Sequence, residues 1–474
     1  MASAQGDGSR KRQAAGGAQP TLWPVSVHNR AGQAIVGAVC AHLFVAGFLA
    51  LMQPMDLPLG PVAKHSIWAK AVPPDESAHV AYFEELLATC RLPVLKAGVG
   101  NYEAHQPPLY YLLATPIYAV FLSFGKPVAI CAVRLLNVLL GAASVLALAR
   151  LSILAFPGNG WFVVFATLFG ACWPARLLAC AGAGNDPLVE LACLIALVLL
   201  AKLVTGPLEP RAALGAGLAI GVAMLSKSSA LPLVPVGLLA VYLSWKRGCL
   251  ADGGADWRRL GIGTGALLGG FLLLWGPWAV RNVVLYGDPF AAEVFRRIFG
   301  EDRATPEYFL SRGFSGTQYF ALVLYQTALS FWGVLGQANV FLPSVLYTLG
   351  FVFWGATAIV GLSGLIWRGD RPSESARPIW TLLALHGALM LAFFLRFNAE
   401  FYQAQARYFM PATAVIAFYM ARPWARRDWP AWLRDLGMRL WILAIIPVTG
   451  YILYIGITGS LTRLFEELHR RAVK

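Results

Sequence analysis

The sequence predicts an all-α polytopic membrane protein, with about 11 transmembrane helices and shorter helices on the outer membrane face. Three observations predict it. Of 474 residues, 58% are hydrophobic and 13% charged, with a mean hydropathy of +0.61; a soluble chain carries roughly 45–50% apolar and about 25% charged residues. The apolar residues come in long runs, such as Leu191–Leu200 and Leu267–Leu274, and runs of about 20 read as membrane spans. The basic residues concentrate in alternate short loops, as the positive-inside rule expects. A soluble enzyme, a disordered scaffold and a nucleic-acid-binding domain are excluded. The net charge of +14 reads as cytoplasmic loops facing anionic lipid. The seven cysteines form no CxxC pair and fall mostly inside apolar runs. They read as small hydrophobes, neither a disulfide framework nor a zinc site.

Residues 1–30, rich in Gly, Ala, Ser and Gln, read as a disordered cytoplasmic tail. Residues 31–458 form the transmembrane domain, and 459–474 a C-terminal tail. The first span covers about 31–52. The segment 108–125 could span or lie in the interface, and the choice inverts the orientation of everything after it. If it lies on the surface, the later spans are about 128–153, 159–178, 187–204, 211–226, 229–245, 260–280, 341–366, 378–396, 406–422 and 437–458. The cytoplasmic loops then hold Lys202, Arg211, Lys246, Arg247, Arg258, Arg259, Arg368, Arg371, Arg377, Arg422, Arg426, Arg427, Arg434 and Arg439. The short outer loops hold only Arg176, Lys227, Arg396 and Arg407. That asymmetry selects a surface helix over 108–125. Two long loops, about 53–127 and 281–340, then face out, and loops of this length are usually functional.

The first outer loop carries Pro73-Pro74-Asp75-Glu76-Ser77-Ala78-His79. The prolines hold the chain extended, Asp75 is placed to cap a helix over 76–90, and Glu76 and His79 share one of its faces. Plain capping is one reading of the carboxylates; a general base just outside a span is the other. The loop ends in Glu103-Ala104-His105-Gln106-Pro107-Pro108-Leu109-Tyr110-Tyr111, with tyrosines suited to the headgroup level. Asp75, His79, Glu103 and His105 are the weak candidates for a divalent metal, in a spacing that matches no metal motif. No cofactor is expected otherwise.

Polar residues also mark the ends of apolar runs: Arg134, Asn185-Asp186, Lys227 in the turn Ser226-Lys227-Ser228, Arg281-Asn282, and Arg407-Tyr408. All fall on the outer side. Singly, each reads as a snorkelling residue. Together, two carboxylates and four cations at one membrane face suggest a site for a lipid-linked phosphate. Gly261-Ile262-Gly263-Thr264-Gly265-Ala266 matches a dinucleotide fingerprint but opens a transmembrane run with no strand before it, so close helix packing explains it.

These segments, in order, are PDE-x-x-H, HQPPLYYLL, RLLNVLLG, an Asn-Asp turn, AMLSKSSALPL, PWAVRNVVLYGDPF and RYFMPA. The series resembles the GT-C superfamily of integral-membrane glycosyltransferases, in particular the family 39 type that includes protein O-mannosyltransferases and the lipid A aminoarabinose transferase. The resemblance implies the GT-C fold, with juxtamembrane helices in the first outer loop, and a polyprenyl-phosphate sugar as donor. It puts Asp75 in the place of the catalytic carboxylate and Asp186 in that of the acidic residue of the second outer loop. It also implies metal independence. The aminoarabinose branch has Lys where this chain has Gln106, which argues against that specificity.

The expectation is therefore an inverting glycosyltransferase in a bacterial inner or plasma membrane, with its active site facing outside. Asp75 and Glu76 are the catalytic candidates. Lys227, Arg281, Arg407 and Arg134 would bind donor phosphate. His79, Glu103, His105, Gln106, Tyr110, Asp186 and Asn282 would line the cavity, covered by Tyr308, Phe314, Tyr319 and Trp332 of the second loop. The partners are the donor, membrane lipid and an acceptor glycan, lipid or protein, with no nucleic acid. The rival readings are a flippase or transporter for a lipid-linked sugar and a non-catalytic assembly subunit.

Overall fold

The computed structural model describes residues 30–55, 70–97, 102–300, 304–366, 372–426 and 429–472. The expected N-terminal tail lies outside the described residues. In chain order the helices are α1 (Arg30–Met52), α2 (Glu76–Thr89), α3 (Leu109–Leu122), α4 (Lys126–Ala155), α5 (Gly160–Cys172), α6 (Pro174–Cys180), α7 (Asp186–Thr205), α8 (Pro210–Ser226) and α9 (Leu233–Asp252). There follow α10 (Trp257–Tyr286), α11 (Ala292–Phe299), α12 (Pro306–Leu310) and α13 (Gly316–Trp332). After a two-stranded hairpin, β1 (Val334–Leu335) against β2 (Val340–Phe341), come α14 (Ser344–Ile366), α15 (Arg377–Asn398), α16 (Thr413–Ala421) and α17 (Ala431–Ala472). The protein is an all-α, multi-pass membrane protein.

Among the described residues, eight helices are long and apolar enough to cross a membrane, or nine if α5 and α6 count as one span. The expected count of about eleven departs from this at identifiable places. The span expected over 159–178 bends by 53° between α5 and α6, because Trp173 is extended and Pro174 follows it. The span expected over 406–422 is a 3₁₀ turn, Ala406–Ala412, leading into the nine-residue α16. α8 has 17 residues. The tail expected from 459 continues α17 as helix to Ala472. α3 has 14 residues, which at about 1.5 Å each cannot cross a core of about 30 Å. Its tyrosines are not headgroup anchors. Tyr110 and Tyr111 are fully buried, and Tyr111 stacks on Tyr82 with ring centroids 3.6 Å apart.

α1, α4, α5 and α7 pack around one another, and α8 packs on α10. The α8–α10 approach depends on missing side chains. A Cβ at Gly270 would lie 2.5 Å from the Leu214 carbonyl, and one at Gly217 would overlap that of Leu267. The glycines of the false dinucleotide motif contribute little: Gly261 and Gly265 have nothing near them, and only Gly263 meets Leu208.

At the heart of this bundle lies an ion pair. Arg176 on α6 donates from Nε to both oxygens of Glu190 on α7, at 2.7 and 2.9 Å. It also donates to the carbonyls of Gly170 (3.0 Å) and Gly141 (2.6 Å), and its Nη1 lies 3.1 Å from Nδ1 of His42 on α1. The sequence placed Arg176 in an exposed outer loop; it is 1% exposed. Breaking a buried pair costs about 3–5 kcal/mol, because it strands a charge. Arg176→Ala is therefore expected to lower thermal stability in detergent sharply, while Arg176→Met with Glu190→Leu recovers most of it. If the single and double variants melt alike, the pair does not hold the bundle.

Candidate active site

Four charged residues from four separate segments form a chain of alternating sign. Lys227 Nζ, just past the end of α8, lies 2.5 Å from Asp186 Oδ1 at the start of α7. Asp186 Oδ2 lies 3.6 Å from Arg407 Nη1, in the 3₁₀ turn before α16. Arg407 Nη2 donates to Asp75 Oδ2 at 2.5 Å, and its Nε to Gln405 Oε1 at 2.7 Å. Lys227 and Arg407 both lie over the Tyr408 ring, at 5.7 and 5.3 Å. All four members are partly screened from water, Asp75 being the most open at 28% exposure.

Asp75 is the residue before α2, as the sequence predicts, but it does not cap the helix with its side chain. Its backbone sits in the left-handed region (φ 60°) and its carboxylate makes no cap hydrogen bond. Asp tolerates that conformation better than most residues. The result is a carboxylate turned from its own helix to Arg407. Burial pushes the Asp75 carboxyl upward, but the charge and hydrogen bond of the Arg407 guanidinium, with Lys227 nearby, together hold it down at about 2.

Glu76 and Arg134, placed by sequence in catalysis and phosphate binding, form a separate and closed centre. Arg134 donates from Nε and Nη2 to Glu76 at 2.8 and 2.5 Å, and to the carbonyls of Ala50, Gln53 and Pro54. All five of its N–H groups are committed. Glu76 also accepts from the Ala183 amide at 2.9 Å. Both are almost fully buried, so neither is available to a ligand. Asn137 completes the support, donating to the carbonyls of Gly182 (2.6 Å) and Gly184 (2.8 Å). These bonds set the turn that delivers Asp186.

Arg281 is also spent elsewhere. It donates to the Pro93 carbonyl at 2.6 Å and lies over Trp278. Asn282 is buried, accepting from Arg281 and donating to the Pro289 carbonyl. Arg281 fastens the end of α10 to the segment after α2, and Asn282 ties it to the turn that follows α10. Tyr110 accepts from Asn137 and lines neither cavity described below.

His79, Glu103, His105 and Gln106 lie behind the charge chain. His79 Nδ1 is 2.9 Å from the Tyr111 hydroxyl, and burial pushes its pKa down to about 4. His105 Nδ1 contacts the Tyr102 carbonyl at 3.0 Å, and its Nε2 lies 3.1 Å from Gln106, which accepts from Asn185. Burial lowers His105 to about 3. Glu103 is 3% exposed, and its Oε2 has no hydrogen-bond partner among the described residues. Burial, with Asp75 nearby, pushes its carboxyl up to about 8. Burial thus keeps these three groups neutral around an ionised Asp75. The four suggested metal ligands do not converge. Among the described residues no three His, Cys, Asp or Glu side chains are grouped to hold a metal, and the open carboxylates already face Arg407 and Lys227.

Two cavities meet at Arg407. A narrow cleft of about 60 Å³ runs past Pro73, Pro74, Leu178, Asp186 and Leu335. A wider one of about 680 Å³ opens beside Asp75 and is bounded by Gln326, Gln337, Tyr402 and Gln403. The aromatic cover expected from the second loop lies elsewhere. Trp332 and Tyr319 are buried in packing clusters, while Tyr308 and Phe314 line neither cavity. The glutamines were missed by sequence. Their one signal is the charge-poor stretch Tyr402-Gln403-Ala404-Gln405 running into Arg407.

Residues 105–269 match the family described as dolichyl-phosphate-mannose-protein mannosyltransferase. That segment includes Asp186 and Lys227 but not Asp75 or Arg407. No curated protein matches the sequence. The chain superposes on the apo oligosaccharyltransferase of Archaeoglobus fulgidus at a TM-score of 0.51 and 14% identity, covering 90% of this chain and 56% of that one. The same oligosaccharyltransferase, AglB, in complex with an inhibitory peptide and a dolichol-phosphate gives a TM-score of 0.50, 15% identity and coverage of 91% and 56%. ArnT of Cupriavidus metallidurans bound to undecaprenyl phosphate gives 0.49, 17%, and 93% and 72%. This chain therefore spans little more than half the length of the archaeal enzyme. The fold is that of the GT-C membrane glycosyltransferases.

Glu103 generates a pH test. Its ordinary carboxyl value of 4.5 is raised to about 8 on folding. Between those values the folded chain holds a proton that the unfolded chain has lost, so stability falls as pH rises through that window. Glu103→Gln is expected to flatten this slope, read as melting temperature in nanodiscs from about pH 5 to about pH 9. A variant with the wild-type slope would show that Glu103 is not the group responsible.

Proposed function

We propose that this protein is an inverting glycosyltransferase that moves a sugar from a polyprenyl-phosphate donor to an acceptor hydroxyl at the outer face of a bacterial inner or plasma membrane. The observation that carries the reading is the chain Lys227–Asp186–Arg407–Asp75, placed where a narrow cleft and a wider polar cavity meet. The family match over residues 105–269 supports it, as does a shared fold with an enzyme whose structure holds a dolichol-phosphate. The orientation rests on charge. The helix ends opposite the site carry Lys202, Arg211, Lys246, Arg247, Arg258 and Arg259.

In this reading the acceptor hydroxyl attacks the anomeric carbon, the bond from that carbon to the phosphate oxygen breaks, and polyprenyl phosphate leaves. The acceptor proton passes to Asp75 and then to water. Asp75 paired to Arg407 is a weak base. A donor phosphate drawing Arg407 toward itself removes the group that holds Asp75 at about 2 and adds an anion beside it. Both changes raise the carboxyl pKa, so the base is strengthened when the donor is in place. Arg407 and Lys227 neutralise charge on the departing phosphate. No step is routed through a metal, because the carboxylates are already matched by these two cations.

Asp75→Asn is expected to lower turnover by roughly 10²–10⁴-fold while the protein still inserts and purifies normally; near-wild-type turnover would remove Asp75 as the base. Lys227→Ala is expected to weaken donor use by roughly ten- to a hundredfold, the worth of a charge-assisted hydrogen bond, with little change in acceptor KM. Equal loss toward both substrates would count against a phosphate role. The donor itself is read by mass spectrometry of polyprenyl-phosphate sugars in a deletion strain. One species should accumulate there and in the strain complemented with Asp75→Asn.

A further inference from the structure

The wider cavity has a lining that differs in kind from the charge chain. Its volume, about 680 Å³, lies within the roughly 300–1,000 Å³ of small-molecule pockets. Its uncharged polar wall is mainly side-chain amides, Gln326 on α13, Gln337 in the β1–β2 turn, and Gln403 and Gln405 ahead of Arg407, with Ser77 and Tyr408 beside them. Tyr102 and Tyr402 add aromatic faces. Among the described residues, Asp75 and Arg407 are the only charged ones lining it, and they neutralise each other.

The amides are available. Gln405 and Gln403 use their oxygens to accept from Arg407 (2.7 Å) and Tyr408 (2.8 Å), which leaves their NH₂ groups as donors. Gln326 and Gln337 make no side-chain hydrogen bond to any described residue. The turn bearing Gln337 is held in place by close approach: Gly336 is left-handed (φ 65°), and a Cβ there would overlap the Lys70 carbonyl. An amide offers a donor and an acceptor side by side, as a sugar hydroxyl does. Aromatic rings pack against apolar sugar faces. An anionic headgroup would demand cations, and among the described residues this wall supplies none beyond Arg407. A peptide would be held through its backbone along a strand edge, whereas this wall is made of side chains.

We propose that this cavity is the acceptor subsite and that it takes an uncharged, hydroxyl-rich carbohydrate, with the reacting hydroxyl at Asp75. The assignment rests on the glycosyl-transfer reading above. Its test is saturation-transfer NMR on the full chain in nanodiscs, with maltotriose, the anionic trisaccharide trigalacturonate and a threonine-containing hexapeptide as probes. Maltotriose alone is expected to give a signal. Gln326→Ala with Gln337→Ala should weaken it at least about fivefold, as loss of two hydrogen bonds would. If the double variant does not fold, Gln337→Ala alone carries the test, since that residue sits exposed in the turn. No maltotriose signal, an equal or stronger signal from either other probe, or no change in the variant overturns the assignment. Titrating the wild-type chain with undecaprenyl phosphate separates the two readings: failure of that lipid to bind sinks the donor, whatever the sugar probes report.

Discussion

A charge taken into an apolar bundle must find its opposite, and this requirement organises the molecule. Three ion centres answer it, each joining residues of different segments. Arg176 with Glu190 ties α6 to α7, with His42 of α1 against the guanidinium. Arg134 with Glu76 ties α4 to the start of α2. Arg407, Asp75, Asp186 and Lys227 join four segments where two cavities meet. The first two are enclosed by backbone carbonyls, and every N–H of Arg134 has an acceptor. The third is paired by side chains alone apart from its own neighbours, and it borders open space. Saturation separates the structural centres from the site a ligand can enter.

The closed centres serve the open one. Glu76 accepts from the Ala183 amide while Asn137 holds the carbonyls of Gly182 and Gly184. The turn between α6 and α7 is therefore gripped on both sides, and Asp186 follows it directly. The same Glu76 is the first residue of α2, adjacent to Asp75. One buried salt bridge thus sets the position of both carboxylates. The cost of burying it is offset only because nearly every polar atom in it is satisfied.

Burial also sorts the remaining titratable groups. His79 and His105 are pushed down, Glu103 is pushed up, and each is neutral near pH 7. Asp75 alone among these four residues stays ionised, because Arg407 and Lys227 together offset burial. In such surroundings each remaining charge acts with little screening, so displacing one partner of the Arg407–Asp75 pair changes the other strongly. In the proposed reaction, a phosphate arriving at Arg407 and a proton acceptor appearing at Asp75 would be two sides of one electrostatic exchange.

What the sequence determined by itself follows from local rules. Apolar run length and loop charge are properties of contiguous residues, so the all-α membrane class and a short helix within 108–125 were legible from the sequence alone. So was the list of polar residues at helix ends, and the proline pair and Asp75 located the start of α2. What only the tertiary structure decided is which of those polar residues face each other. Glu76 is adjacent to Asp75, yet successive residues at a helix start point in different directions, so one is buried against Arg134 and the other reaches Arg407. Arg134, Arg281, Lys227 and Arg407 are equivalent in sequence as cations at the ends of apolar runs. They separate only when the carbonyls of residues 50–54 and 93 close around the first two. Arg176 and Glu190 lie 14 residues apart, and the bend at Trp173-Pro174 brings one to the other. The amide wall comes from α13, a hairpin and a 3₁₀ turn, and no local pattern joins them. Pairing is a long-range property: it depends on where helices end in space, and the chain sets that only once it has packed.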